Sequence, residues 1–207
     1  MAIGDNKEFW NRYSGIYDFV INWSSKKAYE EMYHLMSKVL KADMRVLEVA
    51  TGTGLIALDI AKFVRQVEAT DFSPKMIETA KKKIAPSNVT FSIEDATALS
   101  FANDSFDVVI ISNALHIIPD PVAALANIHR VLKPGGLLIA PTFSHGKLEN
   151  SARNLNAKIL KLLGFETYSK WTLEEYIEFI EKNGFSVKRQ KVLRAAFSLI
   201  YLESAKV

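Results

Sequence analysis

A doubly wound, mostly parallel α/β sheet is the fold this sequence predicts, and three observations predict it. Strand-like apolar runs alternate with segments of helical spacing from Arg45 to Ala140. The first run, Val46-Leu47-Glu48-Val49, breaks at Thr51-Gly52-Thr53-Gly54 and resumes with helical periodicity, the strand, glycine turn and helix that open such sheets. Two last runs, Phe185–Val192 and Phe197–Ala205, are joined by too short a turn for a parallel crossover, so they pair antiparallel. The expected sheet has seven strands, with helices on both faces.

Residues 1–42 are a helical lead-in rich in aromatics. Tyr29, Met32, Tyr33, Met36, Val39 and Leu40 recur at helical spacing and predict one amphipathic helix packed on the body of the domain. The aromatics before it are packing residues or a candidate lid. After the glycine turn a helix runs to about Val64, and Gln66–Asp71 is the second strand. Ser73-Pro74 starts a helix, with serine as cap and proline in its first turn. Val89, Phe91 and Ile93 alternate as a third strand ending at Glu94-Asp95. Phe106–Ser112 is a continuous apolar strand of the kind buried on both faces. Asp120-Pro121 opens the next helix, Lys133–Gly136 is a turn, and Leu137–Ala140 is the fifth strand. Thr172-x-x-Glu175 has capping-box spacing, and Asn183-Gly184 is a helix stop. The chain reads as one domain: lead-in 1–42, core 43–143, an insertion at 144–171, and a helix with a hairpin at 172–207.

At 207 residues, with 26 basic and 23 acidic side chains, the chain is nearly balanced in charge, so nothing calls for nucleic acid or an anionic membrane. Lys81-Lys82-Lys83 reads as a solvated helix face, and His34 and His129 as surface residues. No apolar span or leader is apparent, which makes the cytoplasm the expected location. The absence of cysteine excludes disulfides, cysteine-ligated zinc and thiol nucleophiles, and no metal site is expected.

Glu48, Asp71 and Asp95 fall at or near the ends of the first three strands, and strand ends on one edge of a parallel sheet converge on one crevice. Three acids there repel a diphosphate and suit a cation. Gly52-x-Gly54-x-x-Ala57, with Asp71 19 positions after Gly52, nevertheless satisfies a loose dinucleotide fingerprint, so a nicotinamide cofactor stays open.

The chain from Val46 to Phe143 resembles the class I S-adenosylmethionine-dependent methyltransferases, in their small-molecule group. The resemblance rests on ordered blocks: Val46–Gly54, Ala69–Met76, Glu94-Asp95-Ala96, Phe106–Pro119 and Leu132–Gly136. It implies a Rossmann-like methyltransferase fold, S-adenosylmethionine as cofactor and S-adenosylhomocysteine as product. It implies further that the Gly52–Gly54 turn passes the methionine and ribose, that Glu48 orients this loop and helps hold the ammonium, and that Asp71 accepts from both ribose hydroxyls. Phe72 and Met76 line the adenine slot, Asp95 accepts from the adenine amine, and the Ala96 backbone N–H reaches a ring nitrogen. Asn113 sits near the methionine end, and Tyr13 or Tyr17 closes the pocket from above. The family usually has glycine where this chain has Ala50, and alanine suits that contact position if φ there is not positive.

Methyl transfer requires a general base only if the acceptor must lose a proton. His116 is a weak catalytic candidate, more readily read as a structural loop histidine, and His145 a weaker one. The segment after the fourth strand, Ser112-Asn113-Ala114-Leu115, lacks the Asn/Asp-Pro-Pro-aromatic run that goes with methylation of nucleic-acid amines. Cysteine-adduct pyrimidine methylation and thiol-based arsenic methylation are excluded. What remains is O-, N- or C-methylation of a small molecule, carbon methylation of a quinone among the options. Two alternatives stand beside it: an NAD(P)-dependent oxidoreductase, and a non-catalytic S-adenosylmethionine-binding protein.

Overall fold

The computed structural model describes residues 6–15, 18, 26–143, 167–193 and 199–207. The expectations placed on Tyr17, on His145 and on most of the 144–171 insertion lie outside these residues.

Among the described residues, the helices α1 (Lys7–Tyr13) and α2 (Lys26–Ser37) precede β1 (Arg45–Val49). The chain continues through α3 (Leu55–Ile60), β2 (Gln66–Asp71), α4 (Pro74–Lys81), β3 (Val89–Ile93) and β4 (Phe106–Ile111). It closes with α5 (Pro121–Val131), β5 (Leu132–Ile139), β6 (Thr142–Phe143), α6 (Leu173–Lys182), β7 (Phe185–Leu193) and β8 (Leu199–Lys206). The helix after the glycine turn is shorter than expected, because Ala61–Phe63 tighten into a 3₁₀ turn.

The strands lie in the order β3-β2-β1-β4-β5-β8, with β7 on the far side of β8. The first five pair in parallel, and β8 runs antiparallel to both β5 and β7. The seven expected strands are joined by an eighth piece, β6. Its Thr142 faces Ile200 in the same register in which Ile139 of β5 faces Glu203, so β6 is β5 resumed after a break. Proline causes the break, since Pro141 has no N–H to give the ladder. The expected Lys133–Gly136 turn is absorbed as a wide bulge inside β5, where Leu132 faces Phe106 and Leu137 faces Val108. Gly135 permits it at φ 69°.

Two apolar layers flank the sheet. Met32 and Met36 of α2, Ile56 and Ile60 of α3 and Ile77 of α4 pack on one face. Leu125 and Ile128 of α5 and Tyr176 and Ile180 of α6 pack on the other. β4 serves both: Val108 and Ile110 belong to the first layer, Val109 and Ile111 to the second, the period of two expected of a strand.

The helix starts follow their sequence signals. Ser73 Oγ accepts from the Met76 N–H, and the Asp120 carboxylate accepts from the Ala123 N–H. Thr172 and Glu175 form both halves of the capping box. Two surface expectations need correction. Lys83 is ion-paired with Asp18 at 2.6 Å rather than simply solvated. His129 lies under the C-terminal end, 3.1 Å from the Val207 carbonyl and edge-on to Phe185, because its position on α5 faces the hairpin. Among the described residues no helix is long and apolar enough to cross a membrane.

Candidate active site

The sheet order reverses between β1 and β4, where β1 has β2 on one side and β4 on the other. Connections leave in opposite directions at such a point, so a crevice opens beyond the carboxyl ends of the strands. A cavity of about 390 Å³ lies there, within the range that holds small ligands.

The β1–α3 loop forms its inner wall. The Thr51 N–H donates to the Thr70 carbonyl at 2.8 Å, carrying the β1–β2 pairing one residue past the strand. The chain then turns through Ala50, Gly52 and Gly54 at φ 55°, 58° and 80°. The Gly52 N–H donates to Asp71 Oδ2 and the Ser73 N–H to Asp71 Oδ1, both at 2.8 Å. Asp71 therefore ties the loop after β1 to the loop after β2, and each oxygen keeps a lone pair for a further donor. Burial pushes its carboxyl above the ordinary range, against the pull of those two N–H groups.

Ala50, Gly52, Asp71, Phe72 and Met76 all line the cavity, as do Asp95, Ala96 and Asn113. Asp95 Oδ1 accepts from the Thr97 N–H and hydroxyl at 2.8 and 2.7 Å, which fixes the turn that presents Ala96.

Two expected contacts, at Glu48 and Gly54, are placed elsewhere, and His116 takes the structural place that its loop position favours. Glu48 is 2% exposed and sits beneath the loop, where its Oε2 accepts from Thr51 Oγ1 at 2.6 Å. Burial pushes its carboxyl up to about 8, while Thr51 and the Ala57 backbone pull the other way. Its loop-orienting role has a geometry, but it is not part of the cavity wall because side chains along β1 alternate between faces. Gly54 is also off the wall. A Cβ there would meet the Phe91 ring at 2.8 Å, so its job is close packing. His116 is 4% exposed, behind the wall rather than on it, with Nδ1 3.3 Å from Thr142 Oγ1. Its carbonyl accepts from the Tyr168 and Ser169 N–H groups, which makes it a brace for the incoming chain. The condition set for Ala50 also fails: its φ is positive, in the left-handed region that glycine favours.

The outer wall comes from the lead-in, the candidate lid, though mostly through residues other than its aromatics. Asn6, Lys7 and Trp10 of the lead-in line the cavity, and so does Ser112. Asn6 Nδ2 donates to the Ile117 carbonyl at 3.1 Å, and Asn11 Oδ1 accepts from Ser73 Oγ at 2.7 Å. Asp18 accepts from the Thr53 hydroxyl and pairs with Lys83. Lys7 Nζ lies over the Phe72 ring at 4.3 Å. Of these residues only Trp10 belongs to the aromatics read as a candidate lid.

The comparisons with known proteins agree with this architecture. A methyltransferase-domain family matches residues 47–140. The chain is 45% identical over 101 residues to the demethylmenaquinone methyltransferase of Renibacterium salmoninarum, covering 49% of this chain and 42% of that protein. To the demethylmenaquinone methyltransferase of Staphylococcus epidermidis it is 30% identical over 185 residues, covering 86% of this chain and 75% of the relative. A solved S-adenosylmethionine-dependent methyltransferase from Thermotoga maritima superposes with a TM-score of 0.74 at 20% identity, over 97% of this chain and 99% of that one. The match spans about half the length of some relatives, 54% in Clavibacter sepedonicus.

Proposed function

The chain belongs to the class I S-adenosylmethionine-dependent methyltransferases, and from that premise we propose that it methylates a nucleophilic ring carbon of a demethylated quinol. The quinol is the reduced form of the quinone, and its displaced ring hydrogen leaves as a proton. Membership makes it an enzyme with S-adenosylmethionine as cofactor, and the nicotinamide alternative falls with it. The quinone acceptor is supported by the names of the relatives. An apolar stretch of the wall past β4, formed by Ile117, Ile118 and Pro119 with Trp10 from the lead-in, suits a flat acceptor.

The observation that carries the cofactor site is the acceptor-rich rim. Asp71, Glu94, Asp95 and Asp120 line the cavity, with Lys7 the one cationic side chain among its described lining. Such a rim disfavours a diphosphate and accepts hydroxyls, amines and a sulfonium cation. When bound, S-adenosylmethionine supplies a methyl group on a sulfur that leaves with the electron pair of the broken bond. In this reading Asp71 takes the ribose hydroxyls with the lone pairs left free by Gly52 and Ser73. Phe72 and Met76 hold adenine between them, and Asp95 and the Ala96 N–H take its polar edge. Glu48 acts through Thr51 on the shape of the loop. The chain's chief work is alignment and exclusion of water, with acceptor recognition assigned to residues 144–171. No residue is assigned as a base.

The test is calorimetric binding followed by transfer. Wild type should bind S-adenosylmethionine and S-adenosylhomocysteine but not NAD⁺, and Asp71→Ala should weaken both by about a hundredfold, as for loss of a buried charge-assisted pair of bonds. Radiolabelled methyl should then appear in a demethylated naphthoquinol. Binding without transfer to any quinol would sink the acceptor and leave the cofactor site standing.

A further inference from the structure

Two polar atoms at the cavity floor are buried without a hydrogen-bond partner, Ser112 Oγ and Asn113 Oδ1. They are neighbours just past β4, and both residues line the cavity. A buried acceptor with nothing to accept from is costly, so its retention points to a donor that arrives from outside.

Asn113 is held in place from three directions. Its backbone sits at φ 52°, the left-handed region that asparagine tolerates better than other side chains with a Cβ. Its N–H donates to the Pro141 carbonyl at 2.8 Å. Its side-chain Nδ2 donates to the Tyr29 hydroxyl at 3.3 Å, across 84 residues of chain. The amide turns its nitrogen to Tyr29, whose hydroxyl acts as the acceptor. With Nδ2 engaged by Tyr29, Oδ1 is the atom left over. Tyr29 is itself 6% exposed, on the buried side of α2 and edge-on to Tyr33 at 6.0 Å. Its ring is fixed by the core.

The strand order says which part of the ligand meets these atoms. Asp71 and Asp95 stand at the ends of β2 and β3, and Ser112 and Asn113 at the end of β4, on the other side of β1. From β3 to β4 is three strand spacings, about 14 Å, so an extended ligand with its adenine at one end puts its amino acid at the other.

We propose that Tyr29 is a positioning residue, holding the Asn113 amide so that Asn113 Oδ1, with Ser112 Oγ beside it, receives the ammonium of the cofactor's amino-acid end. This rests on the cofactor reading above. No signal in the sequence distinguished Tyr29 from the packing aromatics around it.

The experiment compares two probes by calorimetry. S-adenosylhomocysteine carries the amino-acid end, and 5′-methylthioadenosine has the same nucleoside and thioether without it. Tyr29→Phe keeps the packed ring, and Asn113→Gly keeps the left-handed backbone. Each variant should weaken S-adenosylhomocysteine about three- to tenfold, the range for one lost hydrogen bond, and leave 5′-methylthioadenosine within about twofold. The double variant should be no weaker than Asn113→Gly alone, because Tyr29 acts through Asn113. Equal losses for both probes would show general loosening and overturn the proposal, as would additive effects, or full affinity in Tyr29→Phe. A wild-type protein that binds neither probe overturns the cofactor site itself, and this inference with it.

Discussion

The rim at the carboxyl ends of β1 to β4 and the C-terminal unit of α6, β7 and β8 are built by opposite habits. The C-terminal unit obeys the local rules of cap, stop and turn, although β8 carries a buried carboxyl, Glu203, held by Tyr201 and Arg189, and a buried Ser204 Oγ without a partner. Its helix has a complete capping box, stops at Asn183, and hands over at Gly184 with φ 88° to a hairpin paired from Phe185 to Leu193. The rim breaks several. Ala50 and Asn113 stand in the left-handed region, Glu48 is a buried carboxyl, and two buried oxygens lack partners. Rule-breaking of this kind gathers where a surface is shaped for something other than stability. Substitutions in the C-terminal unit should therefore cost stability alone, whereas those on the rim should separate stability from binding.

The largest effect is expected at Gly54, where the two demands coincide. Gly54→Ala adds a Cβ 2.8 Å from the Phe91 ring at φ 80°, and the strain and overpacking together cost about 3 kcal/mol. Urea unfolding measures this, and an unchanged midpoint would mean that the loop is softer than its packing. Glu48→Gln tests the buried carboxyl through pH. Between an ordinary value of 4.5 and a folded value of about 8, the folded chain holds a proton that the unfolded chain has released. Wild-type stability should fall as pH rises through that window, by at most about 1.4 kcal/mol per unit from this one group. The glutamine variant should lose this slope and be the more stable protein at pH 8. Parallel slopes in the two proteins would place the proton elsewhere.

The smaller effects set the two regions directly against each other. Thr172→Ala removes the capping box and should cost about 1 kcal/mol, with affinity for S-adenosylhomocysteine unchanged. A loss of affinity would mean that the C-terminal unit is coupled to the rim after all. Ala50→Gly should go the other way and stabilise by about 0.5 kcal/mol, because glycine relieves the left-handed strain at some cost in chain entropy. Thermal unfolding would show a raised midpoint, and a lowered one would mean that the alanine methyl earns its place by packing.

The same contrast explains what could be read in advance. Strand and helix order, the caps at Ser73, Asp120 and Thr172, and the antiparallel end follow from spacings within a dozen residues, and those spacings are visible. Asp71, Phe72, Met76, Asp95 and Ala96, which line the cavity, could be singled out because they occupy ordered blocks near strand ends. Glu48 was recognised as unusual and given two tasks, orienting the loop and helping to hold the ammonium; its bond to Thr51 gives the first a geometry, and its burial keeps it off the cavity wall. Long-range partners left no trace. Asn6 meets Ile117 across 111 residues and Tyr29 meets Asn113 across 84, and no local pattern marks either end. The positive φ at Ala50 was hidden for a related reason, since the loop around it imposes that conformation and the residue's own preference does not.

Three residues of the lead-in are tied to three separate connections at the rim: Asn6 to the one after β4, Asn11 to the one after β2, and Asp18 to the one after β1. A strap fixed at one point can swing aside when a single bond breaks. One fixed to three independent loops must release several bonds together before the way out is clear. The tethers should accordingly be felt in the lifetime of a complex more than in its affinity. Cutting one of them should quicken departure and arrival alike, and change the equilibrium between them far less.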